Sequence, residues 1–349
     1  MIAIIFLTEV LLRGYYHFMA SRKAQYEIAY FADDNFPDVK TRYQPHPYLT
    51  YIPAPNYTNI TGKTSHNSMG FRGPEIRKSS SNTIRIVTIG GSTTYNTKIE
   101  EDQKTYPAQL QTYLNSAQNK IEVEVINAGV GGYTTWESFI NFAFRVLEIE
   151  PDILIIYHAA NDLHTQRVRN YASDNIGYRR PWHLSTDWKL ALLKHSYIVR
   201  LFRSIFRYSK PLGVEHYTNV EIVDYSKPAQ YIHEPYYFEK NLQKIIKLAK
   251  SYDIEVILCT FASNPNFTKH YASTEYYKKG FLKMNTIIRE CSVRYDLVCV
   301  DLETAMSRES LYWVDGVHMN EKGAEKKAEI IGDALLAADL LRKVQAKKQ

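Results

Sequence analysis

A serine at the end of a short apolar run is the first residue whose setting could support chemistry. Ser92 follows Gly90 and Gly91, directly after the run at residues 84–89 that is typical of a strand. Glycines there let the chain turn sharply and present the hydroxyl near the start of a helix, where negative charge on oxygen is favoured. A phosphate-binding loop would require a Gly-Lys-Ser/Thr ending, and a nucleophile elbow would require glycine in place of Thr94. Alone, such a turn is more often structural than catalytic.

An acid–base pair occurs near the other end of the chain, in Asp315-Gly316-Val317-His318. An aspartate and a histidine three residues apart on a turn can meet, so that the carboxylate fixes the tautomer of the imidazole while the other ring nitrogen faces a serine. The alternative is an Asp-Gly turn and a cap on the helix that follows. Because the motif directly precedes the last predicted helix, we favour the acid–base pair.

Two further blocks lie at predicted strand ends. The glycines of Asn-Ala-Gly-Val-Gly-Gly, at residues 127–132, would let a backbone N–H approach a ligand closely. In His-Ala-Ala-Asn-Asp, at residues 158–162, the side-chain amide of Asn161 can donate to an oxyanion. Each block has a structural alternative, as a tight turn or a helix cap. We interpret His158 as a structural or supporting residue rather than as a base.

The elements that must position these residues alternate between strand and helix. Strands are predicted at residues 84–89, 123–126, 153–157, 254–259 and 297–300. Helices are predicted near residues 106–114, 136–147, 242–249 and 276–295, and from 321 to about 341. Such repetition implies right-handed βαβ units and a parallel, doubly wound sheet that binds ligands beyond the carboxyl ends of its strands. The loops after the first three strands are therefore expected at the site.

Together the four blocks resemble those of a known superfamily. In order and on these elements, Gly-Gly-Ser-Thr, Asn-Ala-Gly-Val-Gly-Gly, Ala-Ala-Asn-Asp and Asp-Gly-Val-His resemble the blocks of the SGNH (GDSL-like) hydrolases. The resemblance covers roughly residues 84–340. Each block is weak alone, whereas four in register are specific. The resemblance implies a flavodoxin-like three-layer α/β sandwich with a five-stranded parallel sheet, and no metal or cofactor.

The resemblance also implies a role for each residue of the site. Ser92 would be the nucleophile, His318 the base and Asp315 the partner that orients it. The backbone N–H groups of Ser92 and Gly132 and the side chain of Asn161 would form the oxyanion hole.

The chain departs from the superfamily pattern at two places. Ala159 stands where the third block usually opens with glycine, and its methyl group could narrow the pocket. The first block has Gly-Gly-Ser rather than Gly-Asp-Ser, a variant common in bacterial members. Residues 67–73 also resemble a segment that precedes the first block in membrane-associated bacterial members, and we assign this segment no chemistry.

Length and composition indicate a main domain with extensions. Of 349 residues, 45% are hydrophobic and 23% are charged, as in ordinary globular domains. We assign residues 1–80 to an N-terminal hydrophobic segment with a loop or hairpin extension, and residues 81–345 to the hydrolase domain, with a helical insertion at about 163–236. A net charge of +6 is too weak to indicate nucleic acid. Three cysteines form neither a disulfide framework nor a zinc motif.

The N-terminal segment leaves two interpretations open. Residues Ile2 to Leu12 are largely apolar, but Glu9 interrupts them and Arg13 follows. A bilayer span needs about 20 such residues, and neither a basic leader nor a small-residue cleavage site is evident. The segment is either the end of a signal anchor or an amphipathic helix packed on the domain.

Up to Lys210, the insertion contains more basic residues than acidic ones, and the acidic residues are Asp174 and Asp187. The basic residues are Arg167, Arg169, Arg179, Arg180, Lys189, Lys194, Arg200, Arg203, Arg207 and Lys210. Apolar residues recur at helical spacing over residues 188–208, so we expect an amphipathic helix there. We interpret it first as a lid or bracing helix, and second as a surface for an anionic lipid or an acidic glycan.

These features predict a serine esterase. We expect O-deacetylation of a carbohydrate first, since the 28 tyrosines provide side chains suited to sugar contacts. The alternatives are hydrolysis of a lipid ester or a thioester, O-acyl transfer, and a non-catalytic role in polysaccharide export. The expected location is the bacterial cell envelope or periplasm, with membrane association through the N-terminus or the basic insertion, and the cytoplasm is the alternative. Nucleic acid is not expected as a partner.

Overall fold

The chain forms two compact units. The computed structural model describes residues 2–21, 24–25, 28, 42–46, 48–59, 61–78, 80–117, 121–175, 178, 182–184, 195–206, 214–216 and 230–348. The first unit comprises Met1–Gly70 and Arg180–Thr218, and the second comprises Phe71–Arg179 and Asn219–Gln349. The domain boundaries expected from the sequence stay a prediction.

A five-stranded parallel sheet is the centre of the second unit. The strands of the described chain are β1 (Tyr43–His46), β2 (Thr50–Pro53), β3 (Thr83–Gly90), β4 (Glu122–Asn127), β5 (Ile153–Tyr157), β6 (Trp182–Leu184), β7 (Val214–His216), β8 (Glu255–Cys259) and β9 (Val298–Val300). The parallel sheet has the order β4-β3-β5-β8-β9. In the first unit, β1 pairs with β2 and β6 with β7, both antiparallel. The strand order of the parallel sheet is that of flavodoxin-like folds.

Helices cover both faces of the parallel sheet. The helices of the described chain are α1 (Ile2–Gly14), α2 (Ser92–Tyr95), α3 (Tyr106–Ala117), α4 (Thr135–Asn141), α5 (Ala160–Thr165), α6 (Tyr197–Ile205), α7 (Tyr236–Ser251), α8 (Glu275–Tyr295), α9 (Leu302–Ala305), α10 (Glu321–Ala337) and α11 (Leu340–Lys348). α1 and α6 belong to the first unit. In the second, α3 packs against α10 and β4, whereas α7 packs against α4, α8 and β8. The predicted three-layer α/β fold is confirmed.

The central strands are buried, and β3 includes the polar residues Thr83, Arg85 and Thr88 among its buried side chains. All eight residues of β3 and all five of β5 are buried. The register aligns Ile86 of β3 with Ile153 of β5 and so brings Gly90 beside Tyr157 at the carboxyl edge of the sheet. The loops after these strands therefore begin at the same edge, as the parallel topology requires.

Two helices differ from those predicted. The helix expected at residues 321–341 ends at Ala337, because Asp339 adopts the left-handed conformation with φ of 52°, and a separate helix begins at Leu340. The helix expected at residues 136–147 is α-helical only to Asn141 and continues as a π-helix over Phe142–Val146.

The amphipathic helix expected at residues 188–208 is described in part, as α6. Residues 185–194 and 207–213 lie outside the described residues. So do several of the basic residues of the insertion, namely Arg179, Arg180, Lys189, Lys194, Arg207 and Lys210. A lid or bracing role for the insertion stays a prediction. In the part of the chain that the structure describes, no helix has the length and apolar character needed to cross a membrane.

A lysine is buried inside the second unit. Nζ of Lys327 on α10 lies 3.7 Å from the centroid of the Tyr106 ring and 3.3 Å from that of the Tyr157 ring. Among the described residues, no hydrogen-bond partner is found for this amine. Burial lowers the pKa of Lys327 well below its ordinary value, although the Cys259 thiol opposes the shift. The fold therefore favours the uncharged amine.

Lys327→Met is expected to stabilise the protein. The unfolded lysine keeps its proton up to its ordinary pKa of 10.5, whereas the folded one loses it at lower pH, so the wild type loses stability as the pH falls from that value. Methionine removes the charge and the unpaired amine, and the free energy of unfolding near neutral pH should rise by roughly 1–4 kcal/mol. Denaturant unfolding should show this gain shrinking towards alkaline pH. Lys326→Met, an exposed control on the same helix, should show no such gain, and a destabilised Lys327→Met would contradict the prediction.

Candidate active site

Ser92 lies at the carboxyl edge of the sheet, where β3 ends and α2 begins. The chain turns there through Gly90 and Gly91. A Cβ atom on Gly91 would lie 2.6 Å from the side-chain amide nitrogen of Asn161 and 3.2 Å from the carbonyl oxygen of Tyr133, so a larger residue would not fit. This close approach brings the loops after β3, β4 and β5 together beside Ser92.

A chain of hydrogen bonds joins Ser92 to two residues that are distant in the sequence. Nε2 of His318 lies 2.9 Å from Oγ of Ser92, and Nδ1 of the same ring lies 2.8 Å from Oδ2 of Asp315. Oδ1 of Asp315 also accepts hydrogen bonds from the backbone N–H groups of Val317, at 2.9 Å, and His318, at 2.8 Å. One carboxylate thus shapes the turn and holds the imidazole. The structure brings together the three residues that the sequence assigned to one site.

The electrostatics of the site keep this carboxylate charged. Burial by itself raises the pKa of Asp315, but hydrogen bonds from the His318 ring and from the N–H groups of Val317 and His318 outweigh it, so the pKa lies well below its ordinary range. An ionised carboxylate favours the tautomer with a proton on Nδ1, which leaves Nε2 able to accept the serine proton. Among the described residues, no group of three or more His, Cys, Asp or Glu side chains is placed to hold a metal ion.

Asn161 and Gly132 belong to the loops that meet beside the Ser92 turn. Nδ2 of Asn161 donates to the carbonyl oxygen of Tyr133 at 2.8 Å, and its second hydrogen can point to a ligand. Gly132, with φ of 83°, directly precedes Tyr133 and adopts a conformation that favours glycine. The amide of Asn161, placed in this way, can stabilise negative charge that develops next to Ser92.

Buried polar contacts fix the loop that carries Asn161. Asp162 accepts hydrogen bonds from the backbone N–H of Thr135, at 3.0 Å, and from its hydroxyl, at 2.6 Å. Thr134 caps the start of α4 and forms a capping box with Glu137. Because these side chains are buried, their bonds compete little with water and hold α5 against the start of α4.

Arg72 is a buried residue to which the sequence analysis assigned no chemistry. Its guanidinium donates to Oδ1 of Asp102 at 2.7 Å and to four backbone carbonyl oxygens at 2.8 to 3.1 Å. The carbonyls belong to Tyr95, Asn96, Ile99 and Glu100. This segment directly follows the helix that begins at Ser92. Arg72 therefore fixes the chain behind the serine, with a set of donors that lysine does not have.

His158 is buried and bonds to Ser138 rather than to Ser92. Nε2 of His158 lies 2.8 Å from Oγ of Ser138, and burial lowers the pKa of His158 to about 3. These contacts are those of a structural residue, as we interpreted it. The neighbouring Ala159 has φ of −176°, outside the left-handed region that favours glycine.

A second histidine lies near Asp315 and was not predicted. Nε2 of His270 lies 3.7 Å from Oδ1 of Asp315, and Nδ1 accepts a hydrogen bond from the N–H of Ala272. Burial lowers the pKa of His270, and the opposing effect of Asp315 does not cancel this shift. His270 lies in the loop after β8, at the carboxyl edge of the sheet, and this position was the only signal for it in the sequence.

The sequence matches a known family across the region that carries these residues. Residues 88–326 match the GDSL-like Lipase/Acylhydrolase family. The chain belongs to this family. It is accordingly an ester-hydrolysing enzyme, as predicted, and the matched region contains all four sequence blocks.

Several solved structures are similar to this hydrolase at low sequence identity. A GDSL-like lipase from Bacteroides thetaiotaomicron is 16% identical, with 73% of this chain and 88% of that chain covered and a TM-score of 0.44. A lipase/acylhydrolase from Enterococcus faecalis is 19% identical, with 72% and 95% covered and a TM-score of 0.45. An acetyl xylan esterase from Geobacillus stearothermophilus is 14% identical, with 73% and 97% covered and a TM-score of 0.46. None of the curated proteins compared with this chain matches it.

Proposed function

We propose that this hydrolase cleaves an acyl ester of a carbohydrate, most simply an O-acetyl ester, with Ser92 as nucleophile. The observation that carries the proposal is the continuous chain of hydrogen bonds from Ser92 to His318, at 2.9 Å, and from His318 to Asp315, at 2.8 Å. A serine hydroxyl is a weak nucleophile by itself, and an adjacent base that is oriented by a third group activates it.

The proposed mechanism has two steps through one covalent intermediate. Oγ of Ser92 attacks the ester carbonyl carbon while Nε2 of His318 takes the hydroxyl proton. The N–H groups of Ser92 and Gly132 and the amide of Asn161 bind the oxyanion. His318 then gives the proton to the departing alkoxide, which leaves as the alcohol. Water, deprotonated by His318, attacks the acyl group, and the acid is released as Ser92 is restored.

The carbohydrate part of the proposal is supported by a surface cleft near Asp315. Polar and apolar residues line it together, and they are Asn264, Asn266, Phe267, Ser307, Arg308, Glu309, Ser310 and Leu311. The backbone N–H of Asn264 donates to the carbonyl oxygen of Gly316 at 2.8 Å, so the cleft adjoins the segment that carries Asp315 and His318. Amide, guanidinium, carboxylate and hydroxyl groups bind sugar hydroxyls, whereas a long acyl chain favours an apolar pocket.

Esters that share one sugar and differ in acyl length test the substrate class. We expect kcat/KM for the acetyl ester to exceed that for the octanoyl ester by at least about tenfold, because each added methylene must find an apolar contact. A preference for octanoyl esters or acyl thioesters would support lipid or thioester hydrolysis instead. Transfer of the acetyl group to a glycan acceptor in place of water would identify an acyltransferase.

A further inference from the structure

The N-terminal helix exposes many apolar side chains. The large apolar residues of α1 that are exposed are Ile4, Ile5, Phe6, Leu7, Val10 and Leu11. Each is 48–71% exposed. Since successive residues of a helix are rotated by about 100°, these positions extend well beyond one stripe of the helix. A contiguous apolar surface of this kind marks a site of protein or membrane interaction.

The charged residues of α1 are used inside the first unit. The carboxylate of Glu9 accepts hydrogen bonds from the N–H of Tyr197, at 2.8 Å, and from the hydroxyl of Ser196, at 2.9 Å, where α6 begins. Arg13 pairs with Glu9 at 2.9 Å and donates to the carbonyl oxygen of His195 at 2.6 Å. Glu9 interrupts the apolar run in the sequence, but in the fold it caps α6. The carboxylate of Glu9 therefore contacts α6 and is not part of the exposed apolar surface of α1.

Further apolar side chains of the first unit are exposed near the ends of both helices. They are Phe18 and Met19 after α1, and Phe202, Ile205 and Phe206 at the end of α6. The rings of Phe202 and Phe206 contact each other with centroids 4.5 Å apart. α1 packs against α6, so the apolar surface extends over a single pair of helices.

The first unit also carries the whole net charge of the protein. Its sequence has 13 Lys and Arg residues against 7 Asp and Glu residues, an excess of six, and the whole chain has a formal charge of +6. The second unit is therefore neutral in sum. Basic residues are attracted to anionic lipid headgroups. The positive charge is thus concentrated in the same unit as the exposed apolar helices.

We propose that α1 and the exposed end of α6 form a membrane-docking surface whose partner is an anionic phospholipid bilayer. The side of α1 that bears Glu9 packs on α6, whereas its exposed apolar side chains spread over more of the helix than the single stripe that a protein groove would cover. A bilayer can cover all of these side chains, and its anionic headgroups complement the positive charge of the unit. The exposed side chains of α1 enter the acyl region, and the net positive charge of the unit attracts the anionic headgroups. This inference does not depend on the substrate proposed above.

Co-sedimentation of the full chain with lipid vesicles tests this surface. We expect the wild type to pellet with vesicles of phosphatidylcholine mixed with phosphatidylglycerol, at least about tenfold more strongly than with phosphatidylcholine alone, and less as salt is added. Phe6→Asn combined with Leu7→Asn should lower binding to the mixed vesicles at least about tenfold, since both side chains would leave the acyl region. The matched control is Leu282→Asn with Val293→Asn, exposed apolar positions on α8, and it should pellet like the wild type.

Four results would overturn the proposal. The wild type could stay in solution with both vesicles, bind both equally, or bind as strongly after the α1 substitutions. Equal thermal unfolding of the two double variants would show that any difference in pelleting comes from the surface and not from misfolding. A wild-type dimer that dissociates on the α1 substitutions and ignores vesicles would identify a second copy of the chain as the partner, and this result would also overturn the proposal.

Discussion

Ser92→Ala is expected to lower kcat for a short-chain acyl ester by a factor on the order of 10⁶, with little change in thermal stability. Nε2 of His318 lies 2.9 Å from the hydroxyl that would be removed, so the variant has no nucleophile for the acyl-enzyme. Binding and oxyanion stabilisation would remain, and they sustain only a small residual rate. Alanine adds no volume at this half-buried position. Burst and steady-state kinetics with a chromogenic acetate ester would measure the loss.

A matched serine distinguishes loss of the nucleophile from a general effect. Ser116 is an exposed residue of α3 whose hydroxyl donates to the carbonyl oxygen of Tyr113 at 2.8 Å. Ser116→Ala should hydrolyse the ester and react with a fluorophosphonate probe like the wild type, whereas Ser92→Ala should do neither. If Ser92→Ala kept its rate within about tenfold, or the probe labelled another residue, Ser92 would not be the nucleophile.

The fold and the site followed from the sequence because their signals are local. The continuous apolar run of β5 predicts a strand that is buried on both faces, and the alternation of strands with helices implies a parallel sheet. A parallel sheet places the loops that carry Ser92 and Asn161 at one edge, whatever their separation in sequence. The pair of Asp315 and His318 is local as well, because three residues separate the two side chains on one turn.

Contacts between side chains and partners that are distant in the sequence could not be predicted from the sequence. Arg72 bonds to backbone carbonyls, which every sequence provides, so no residue pattern marks its partners. In the sequence, Glu9 is only an acidic residue that interrupts an apolar run. In the fold it caps α6, whose first residue, Tyr197, is 188 positions away. His270 approaches Asp315 from a loop with no recognisable motif. In each case the tertiary fold, and not the local chain, supplies the partner.

Asp315→Asn is expected to lower kcat by a factor on the order of 10⁴ while the protein stays folded. Asparagine can keep an oxygen at the Oδ1 position, where it accepts the N–H groups of Val317 and His318 and preserves the turn. Its amide group then replaces Oδ2, the nearer acceptor of Nδ1 of His318 at 2.8 Å. The remaining oxygen lies 3.0 Å from Nδ1 and is already used by two backbone N–H groups. Two donors cannot face each other, so the imidazole adopts the tautomer with its proton on Nε2. Nε2 can then no longer accept the proton of Ser92.

Asp315→Ala separates the two roles of this carboxylate. Alanine also leaves the N–H groups of Val317 and His318 without their acceptor, so it should lose as much activity as asparagine and, in addition, about 1–3 kcal/mol of stability in denaturant unfolding. Asp339→Asn, at an exposed left-handed position that tolerates asparagine, should change neither quantity. Stability lost equally in the Asn and Ala variants would mean that the turn needs both carboxylate oxygens. Activity of Asp315→Asn within about tenfold of the wild type would mean that a different group sets the tautomer of His318.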